Sequence, residues 1–375
     1  IFVKTVSNNT RNVGKLGGSS KSMLLPFNMP PVTNTGMLGF LSGGGGGGGV
    51  SDSFFEILGR TTLTGNATSI SLDSFTAKNN LMILGDLKST AEINLTYSTG
   101  TDSYSGNYAD RRQENGGSDE TTVNRTDNGI ITDLNTKSIF TVGLMENTNS
   151  QKQVIWQAIG GNETGADNAP DKFECVGKFT GSSPVNRMRF NSNGNNFLTS
   201  SEILVLGYDN DQSSGNSFTE LANVTLGSAG DNIDTGASGF TAKKYLYVQI
   251  SCLETGGNIN GNITFNDTAN QEYCRRRNND FSGDNTATEE DSIDVLGDEQ
   301  MSRFIELWIL NRDDQEKLVI GNIVRNGASG AGNAPQSCMF SSKWANNAQV
   351  TRIECDNTGA GSYDTGSSIK VWGFD

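Results

Sequence analysis

The residues of this sequence whose type and spacing most invite chemistry are two arginine clusters. Arg111-Arg112 follows Tyr108, and Arg275-Arg276-Arg277 follows Tyr273, and each cluster leads into an acidic, glycine-rich stretch. Planar guanidinium donors beside an aromatic face suit an anionic group or a sugar. The structural alternative is that these arginines pair with the nearby acids Asp110, Glu114, Asp119, Asp280 and Asp284, or with a neighbouring subunit.

Other chemistry is poorly supplied. The chain has 0 histidines, which removes the usual general base near neutral pH, the commonest transition-metal ligand and every Ser/His or Cys/His nucleophile arrangement. That argues against an enzyme. Asp209-x-Asp211-x-Ser213 with Glu220 resembles a calcium loop, but its turn glycine, Gly215, falls one place late. The carboxylates of Asp313-Asp314 and Glu289-Glu290-Asp291 read as solvated turns, and Gly327-Ala328-Ser329-Gly330 lacks a phosphate-loop lysine. No metal and no cofactor is expected. The 5 cysteines, Cys175, Cys252, Cys274, Cys338 and Cys355, show no CxxC spacing. Sequons such as Asn66, Asn94 and Asn262 carry weight only in a secretory setting.

The elements that must position these residues come in two copies. Phe75-Thr76-Ala77-Lys78 matches Phe240-Thr241-Ala242-Lys243 at an offset of 165. The same offset carries Tyr108 onto Tyr273, Arg111-Arg112 onto Arg276-Arg277, Asn168-Ala169-Pro170 onto Asn333-Ala334-Pro335, and Arg187 onto Arg352. Leu206-Gly207-Tyr208-Asp209 then faces Trp372-Gly373-Phe374-Asp375 at 166. Composition bias does not readily keep a constant offset through Phe, Tyr, Arg, Lys and Pro positions, so a tandem duplication is expected. Repeat 1 spans residues 52–209, a linker 210–216, and repeat 2 residues 217–375.

Within repeat 2, Leu246, Val248, Ile250 and Cys252 alternate with Tyr247, Gln249 and Ser251, which predicts a strand with one buried face. Arg303 to Leu310 and Ile369 to Phe374 read as further strands, and helical periodicity is nowhere sustained. Short strands between Gly, Asn, Asp and Ser clusters predict an all-β chain of two antiparallel β-sandwich, jelly-roll-like domains. Four of the cysteines align with apolar residues, Cys252 with Leu87 and Cys355 with Phe190 among them. Buried, inert thiols are therefore expected, with a disulfide inside repeat 2 as the sharper alternative.

Residues 1–51 differ in kind. They hold Lys4, Arg11, Lys15 and Lys21 and no acid, so removing this +4 from the formal −14 leaves −18 on the rest. Seven consecutive glycines, Gly43 to Gly49, predict a flexible tether behind the apolar patch Met37-Leu38-Gly39-Phe40-Leu41. This extended arm is expected to anchor the chain by ordering on a partner. The acidic body is not expected to bind nucleic acid, and no apolar run is long enough to span a membrane as a helix. The sequence opens at Ile1 rather than Met, which leaves a removed leader open.

The Phe-Thr-Ala-Lys strand, the Tyr-x-x-Arg-Arg step, the Asn-Ala-Pro turn and the closing aromatic-Gly-aromatic-Asp resemble repeats of virion structural proteins of tailed bacteriophages, marine ones especially. The resemblance covers both repeats and not the arm. It implies a β-sandwich used as a particle building block, in a head decoration or tail fibre, on the surface of an extracellular particle. The partners it implies are other virion proteins and further copies of this chain. Two other readings stand beside it: a lectin-like module whose Tyr/Arg sites contact host-surface glycans, and the subunit of an extracellular filament.

Overall fold

A computed structural model describes residues 55–89, 93–98, 108–131, 138–161, 164–212, 215, 217–280, 283–295, 297, 299–326 and 331–375. Among them there are 24 strands and no helix. One eight-stranded sheet runs in the order β1 (Glu56–Thr62), β12 (Glu202–Tyr208), β3 (Asn80–Leu87), β8 (Ser138–Glu146), β9 (Lys152–Gly161), β10 (Asp171–Phe179), β5 (Tyr108–Glu114), β6 (Glu120–Arg125). A four-stranded sheet runs β2 (Ser69–Leu72), β11 (Arg187–Ser192), β4 (Ile93–Ser98), β7 (Asn128–Ile131). The second eight-stranded sheet runs β13 (Thr219–Thr225), β24 (Ser368–Phe374), β15 (Tyr245–Cys252), β20 (Arg303–Leu310), β21 (Lys317–Arg325), β22 (Gln336–Trp344), β17 (Tyr273–Asn279), β18 (Asn285–Glu290). Its four-stranded companion runs β14 (Asn232–Asp234), β23 (Ile353–Asn357), β16 (Gly261–Phe265), β19 (Ile293–Asp294). The order of the second pair of sheets is that of the first with every strand number raised by twelve.

Finer features follow the same correspondence. The edge strands β1 and β13 carry a bulge at Ile57/Gly59 and at Glu220/Ala222. A further register shift falls at Tyr108/Asp110 between β5 and β6, and at Tyr273/Arg275 between β17 and β18. Opposite it Asn124 and Glu289 take the left-handed conformation, with φ of 57° and 54°. Extra residues of this kind bend a strand and raise its local twist.

Between each large sheet and its small companion lies one hydrophobic core. The first gathers Leu81, Ile83 and Leu87 from β3, Trp156 from β9 and Phe190 from β11. Trp156 meets Phe190 edge-to-face at 6.1 Å, and it fits because the facing residue is Gly143, where a Cβ would lie 2.3 Å from its ring. The second core holds Leu246, Val248, Ile250 and Cys252 from β15 with Trp344 and Phe340 from β22. Sheets packed over interdigitating apolar side chains make these sandwiches.

The alternation expected for β15 places its core residues correctly but gives its other face to solvent. In the structure Tyr245 and Tyr247 on that face are 0% and 4% exposed. The outer faces of the two large sheets pack on each other, so β3 and β15 are buried on both sides and read as nearly continuous apolar runs. Phe140 of β8 meets Tyr245 of β15 at 6.3 Å between ring centres. At the middle of this contact Gln157 of β9 and Asn322 of β21 exchange amide hydrogen bonds of 2.9 and 3.2 Å.

Candidate functional site

The two Tyr/Arg steps lie on β5 and β17, strands whose alternation sends Tyr108 and Tyr273 inward. Tyr108 is 1% exposed and stacks on Phe179 at 5.0 Å. Tyr273 is fully buried beside Trp344, and its hydroxyl accepts the Phe265 amide at 2.7 Å. Neither ring presents a face to a surface ligand, which corrects the expectation that they would flank a sugar or anion. Their inward position follows from strand register: both belong to the hydrophobic cores.

The arginines divide between outer and inner faces. Arg111 is largely exposed and pairs with Asp119 at 3.1 Å, while Arg112 pairs with Glu120 at 3.1 Å. Arg275 and Arg277 each place a guanidinium nitrogen 3.0 Å from the Asp294 carboxylate. Arg276 instead donates to the carbonyl of Pro170 at 2.9 Å, linking β17 to the loop before β10. Of the acids singled out by proximity in sequence, Asp119 takes an arginine; Asp284 lies 3.2 Å from Lys172, and Asp280 accepts the Ser337 amide at 2.8 Å. Glu120 and Asp294 are the partners that sequence proximity missed.

The shared motifs have matching structural roles. Lys78 holds Asp209 at 3.0 Å, and the same carboxylate accepts the Asn79 amide at 3.1 Å. Lys243 holds Asp375 at 2.7 Å, and that carboxylate accepts the Lys244 amide at 3.0 Å. Asp209 is thereby engaged where a calcium loop would need it free, and Ser213 lies outside the described residues. Among the described residues no three or more His, Cys, Asp or Glu side chains gather to hold a metal.

A second matched device was missed by the sequence reading. Asn147 donates to the carbonyls of Lys78 and Val185, each at 2.9 Å, and accepts the Val185 amide at 2.6 Å. Asn311 donates to Lys243 and Val350 at 3.0 and 3.1 Å and accepts the Val350 amide at 2.7 Å. Each asparagine ties the end of a central strand to two loops. An offset of 164 between them was the available signal.

A buried cluster of charge lies between the two large sheets. Asp86, 2% exposed at the end of β3, sits 2.9 Å from Lys244 and also pairs with Arg312. Glu202 of β12 lies 3.1 Å from Lys244 and accepts the hydroxyls of Tyr245 and Thr62, each at 2.8 Å. Burial works to raise the Glu202 carboxyl, but Lys244 and these hydroxyls outweigh it and hold it below its ordinary value. Burial in turn holds Lys244 below the usual lysine range, against the pull of Glu202. Lys343, fully buried, donates to the Gly165 carbonyl at 2.8 Å. These are donors and acceptors matched to each other, which is the chemistry of a clamp.

Lys4, Arg11, Lys15, Lys21, Met37, Leu38, Phe40 and Leu41 lie outside the described residues. All 5 cysteines are buried thiols in this structure. Among the described residues no helix is long and apolar enough to cross a membrane.

No protein-family model matches the chain, and no curated protein matches it. Among solved structures it is similar to domains LG4-5 of the mouse laminin alpha1 chain at 8% identity, with a TM-score of 0.19 over 88% of this chain and 92% of that one. The translocator domain of the autotransporter NalP from Neisseria meningitidis gives 10% identity and a TM-score of 0.12 over 80% of this chain and 89% of that one. Likenesses this loose carry no argument, so the architecture rests on the sheets themselves: antiparallel, all-β and of β-sandwich type.

Proposed function

We propose that this chain is a structural component of a virion, a rigid double β-sandwich anchored through residues 1–51 and presented at the particle surface in many copies. In this reading it is a tandem duplication, with domains at residues 52–209 and 217–375, and it is not an enzyme. The observation that carries the reading is the clamp between the large sheets. Asp86, Glu202, Lys244 and Arg312 are committed to holding one sheet on another, which suits a building block better than a reaction centre. The shared motif residues Lys78, Asp209, Lys243 and Asp375 likewise serve packing. The resemblance to tailed-phage virion repeats supplies the particle, and the opposed charges of basic arm and acidic body fit an anchor and its display.

The glycan-binding alternative loses the aromatic faces on which it rested, since Tyr108 and Tyr273 are core residues. The test is direct. Antibodies raised against residues 52–375 should label phage particles in micrographs, and a chain lacking residues 1–42 should fold but no longer bind purified particles. Unlabelled particles, or undiminished binding by the truncated chain, overturns the proposal; isolated fibres carrying the label would favour a filament.

A further inference from the structure

One cluster in the second core departs from its counterpart in the first as a group. In the first core Leu87, Ile139, Phe190 and Phe197 are apolar and fully buried. Leu87 ends β3 opposite Ile139, as Cys252 ends β15 opposite Arg303. Phe190 on β11 corresponds to Cys355 on β23. Phe197, which bridges to Ala67 and Ser89, corresponds to Tyr363, which bridges to Gly230 and Glu254. Four apolar side chains are thus replaced by two thiols, a guanidinium and a phenol, each at most 2% exposed.

The four replacements converge. The Cys252 and Cys355 sulfurs lie 3.9 Å apart, and the Tyr363 hydroxyl lies 3.3 Å from the Cys355 sulfur. Arg303 donates through Nη2 to the carbonyls of Ile259 and Gly297, both at 2.7 Å, while its Nε and Nη1 have no hydrogen-bond partner. A Cβ at Gly261 would lie 3.2 Å from the Tyr363 hydroxyl and 3.6 Å from Arg303 Nη1, so the glycine leaves room for both. Burying a cation and two thiols in place of packed hydrocarbon is costly, and the sulfurs face each other across the sandwich. Hydrogen bonding from Cys252 holds the Cys355 thiol below its ordinary value, and the Arg303 charge adds to the effect.

We propose that Cys252 and Cys355 form a disulfide between the large and small sheets of the second sandwich when the chain folds in an oxidising compartment. The oxidant is a small-molecule disulfide of the glutathione type, acting before the core closes. The Cys355 thiolate attacks one sulfur of that disulfide, forming a mixed disulfide and releasing one thiol of the oxidant. Cys252, losing its proton, then attacks the Cys355 sulfur, and the second oxidant thiol leaves. Two protein thiols are oxidised and one disulfide is reduced to two thiols. The new bond closes a segment of 103 residues, a span over which a cross-link strongly restricts the unfolded chain. The inference stands apart from the virion reading, because it needs only an oxidising compartment.

The test uses the full chain, refolded from the reduced, denatured state in a glutathione redox buffer, alkylated, and mapped by peptide mass spectrometry. The expected result is a Cys252–Cys355 linked peptide, with Cys175, Cys274 and Cys338 alkylated. The oxidised protein should melt about 10 °C above the reduced one. The double variant Cys252→Leu/Cys355→Phe, which carries the residues of the first core, should lose that difference, and Cys175→Ala should keep it. Alkylation of all five cysteines in the refolded protein, or a link joining any other pair such as Cys274 and Cys338, overturns the proposal.

Discussion

Replacing Asp86 by Ala tests whether the charges between the large sheets act as a clamp. Asp86 is 2% exposed and its two partners approach from the other sheet's side, Lys244 at 2.9 Å and Arg312 in contact. Removing the carboxylate leaves Arg312, itself 7% exposed, without its ion-pair partner, and leaves Lys244 with its ion pair to Glu202 and the charge of Asp375. Breaking one side of a buried pair costs about 3–5 kcal/mol, most of it from the orphaned charge rather than the lost attraction. With stability changing by ~1 kcal/mol for every ~2–4 °C in domains of this size, the melting point should fall by about 10 °C. Urea denaturation followed by fluorescence gives the free energy, and calorimetry shows whether the two cores still melt together. The companion triple variant Asp86→Leu/Lys244→Met/Arg312→Leu replaces the charges with hydrocarbon of similar bulk and should recover most of the loss. A loss under ~1 kcal/mol for Asp86→Ala, or a triple variant no better than the single one, would refute the reasoning.

Three further outcomes follow from the same geometry. Asn147→Ala and Asn311→Ala each remove three hydrogen bonds to buried backbone and should each cost about 3 kcal/mol by urea denaturation, from ~1 kcal/mol per bond; equal losses at the two sites are the sharper check. Arg111→Ala should leave stability within about 0.5 kcal/mol, because its ion pair is solvent-exposed, whereas Arg277→Ala, whose partner Asp294 is shared with Arg275, should cost about 1–3 kcal/mol. Stability should also decline at alkaline pH. Burial pushes Cys175 and Cys338 up to about 12, Cys274 to about 11 and Tyr273 to about 12, from ordinary values near 9 and 10. Groups raised in the folded state contribute fully below their unfolded values and lose that contribution as pH climbs toward their folded ones. Burial lowers Lys317 to about 8 and Arg312 to about 9, and lowers Lys88, Lys152 and Lys244 as well. These cations work the other way, but burial also raises Tyr208, Tyr245 and Tyr247, and hydrogen bonding with Cys355 together with burial raises Cys252, so the raised thiols and phenols outnumber them. Chemical denaturation at about pH 8 and about pH 10.5 should show the decline, and a rise across that interval would contradict it.

Much of the architecture was legible in the sequence because its signals are local. Alternation in Leu246, Val248, Ile250 and Cys252 identifies the core face of β15. A constant offset through Phe-Thr-Ala-Lys and the closing Asp identifies residues that meet in the folded chain, as Lys78 with Asp209 and Lys243 with Asp375. The opposite face of the same strands was misread, since Tyr247 and Gln249 look solvent-facing until a second sheet covers them. Whether a polar residue lies in water or in a protein–protein seam depends on what packs against it, and periodicity carries no record of that. At the Tyr/Arg steps the pairing of Arg111 with the nearby acid Asp119 was legible, while the exposure of the tyrosine faces was misread for a related reason. A tyrosine beside arginines reads as a site, yet one residue of strand register separates a ring on the surface from a ring in the core. Asp86 and Lys244 gave no signal, because their partners lie far away in sequence and differ between the halves.

That last difference makes the contact between the two large sheets one-sided in its cations. In the place that Lys244 occupies before β15, the first half has Asn79 before β3, and beyond the Asn147 that matches Asn311 it has Thr148 where the second has Arg312. With asparagine and threonine in those two places, Asp86 would face an amide and a hydroxyl and lose both its cations, and Glu202 would keep only Arg60, 4.0 Å away. The two pairs of sheets are thus complementary where they meet, and a chain carrying Lys244→Asn and Arg312→Thr should lose stability at that seam rather than within either core.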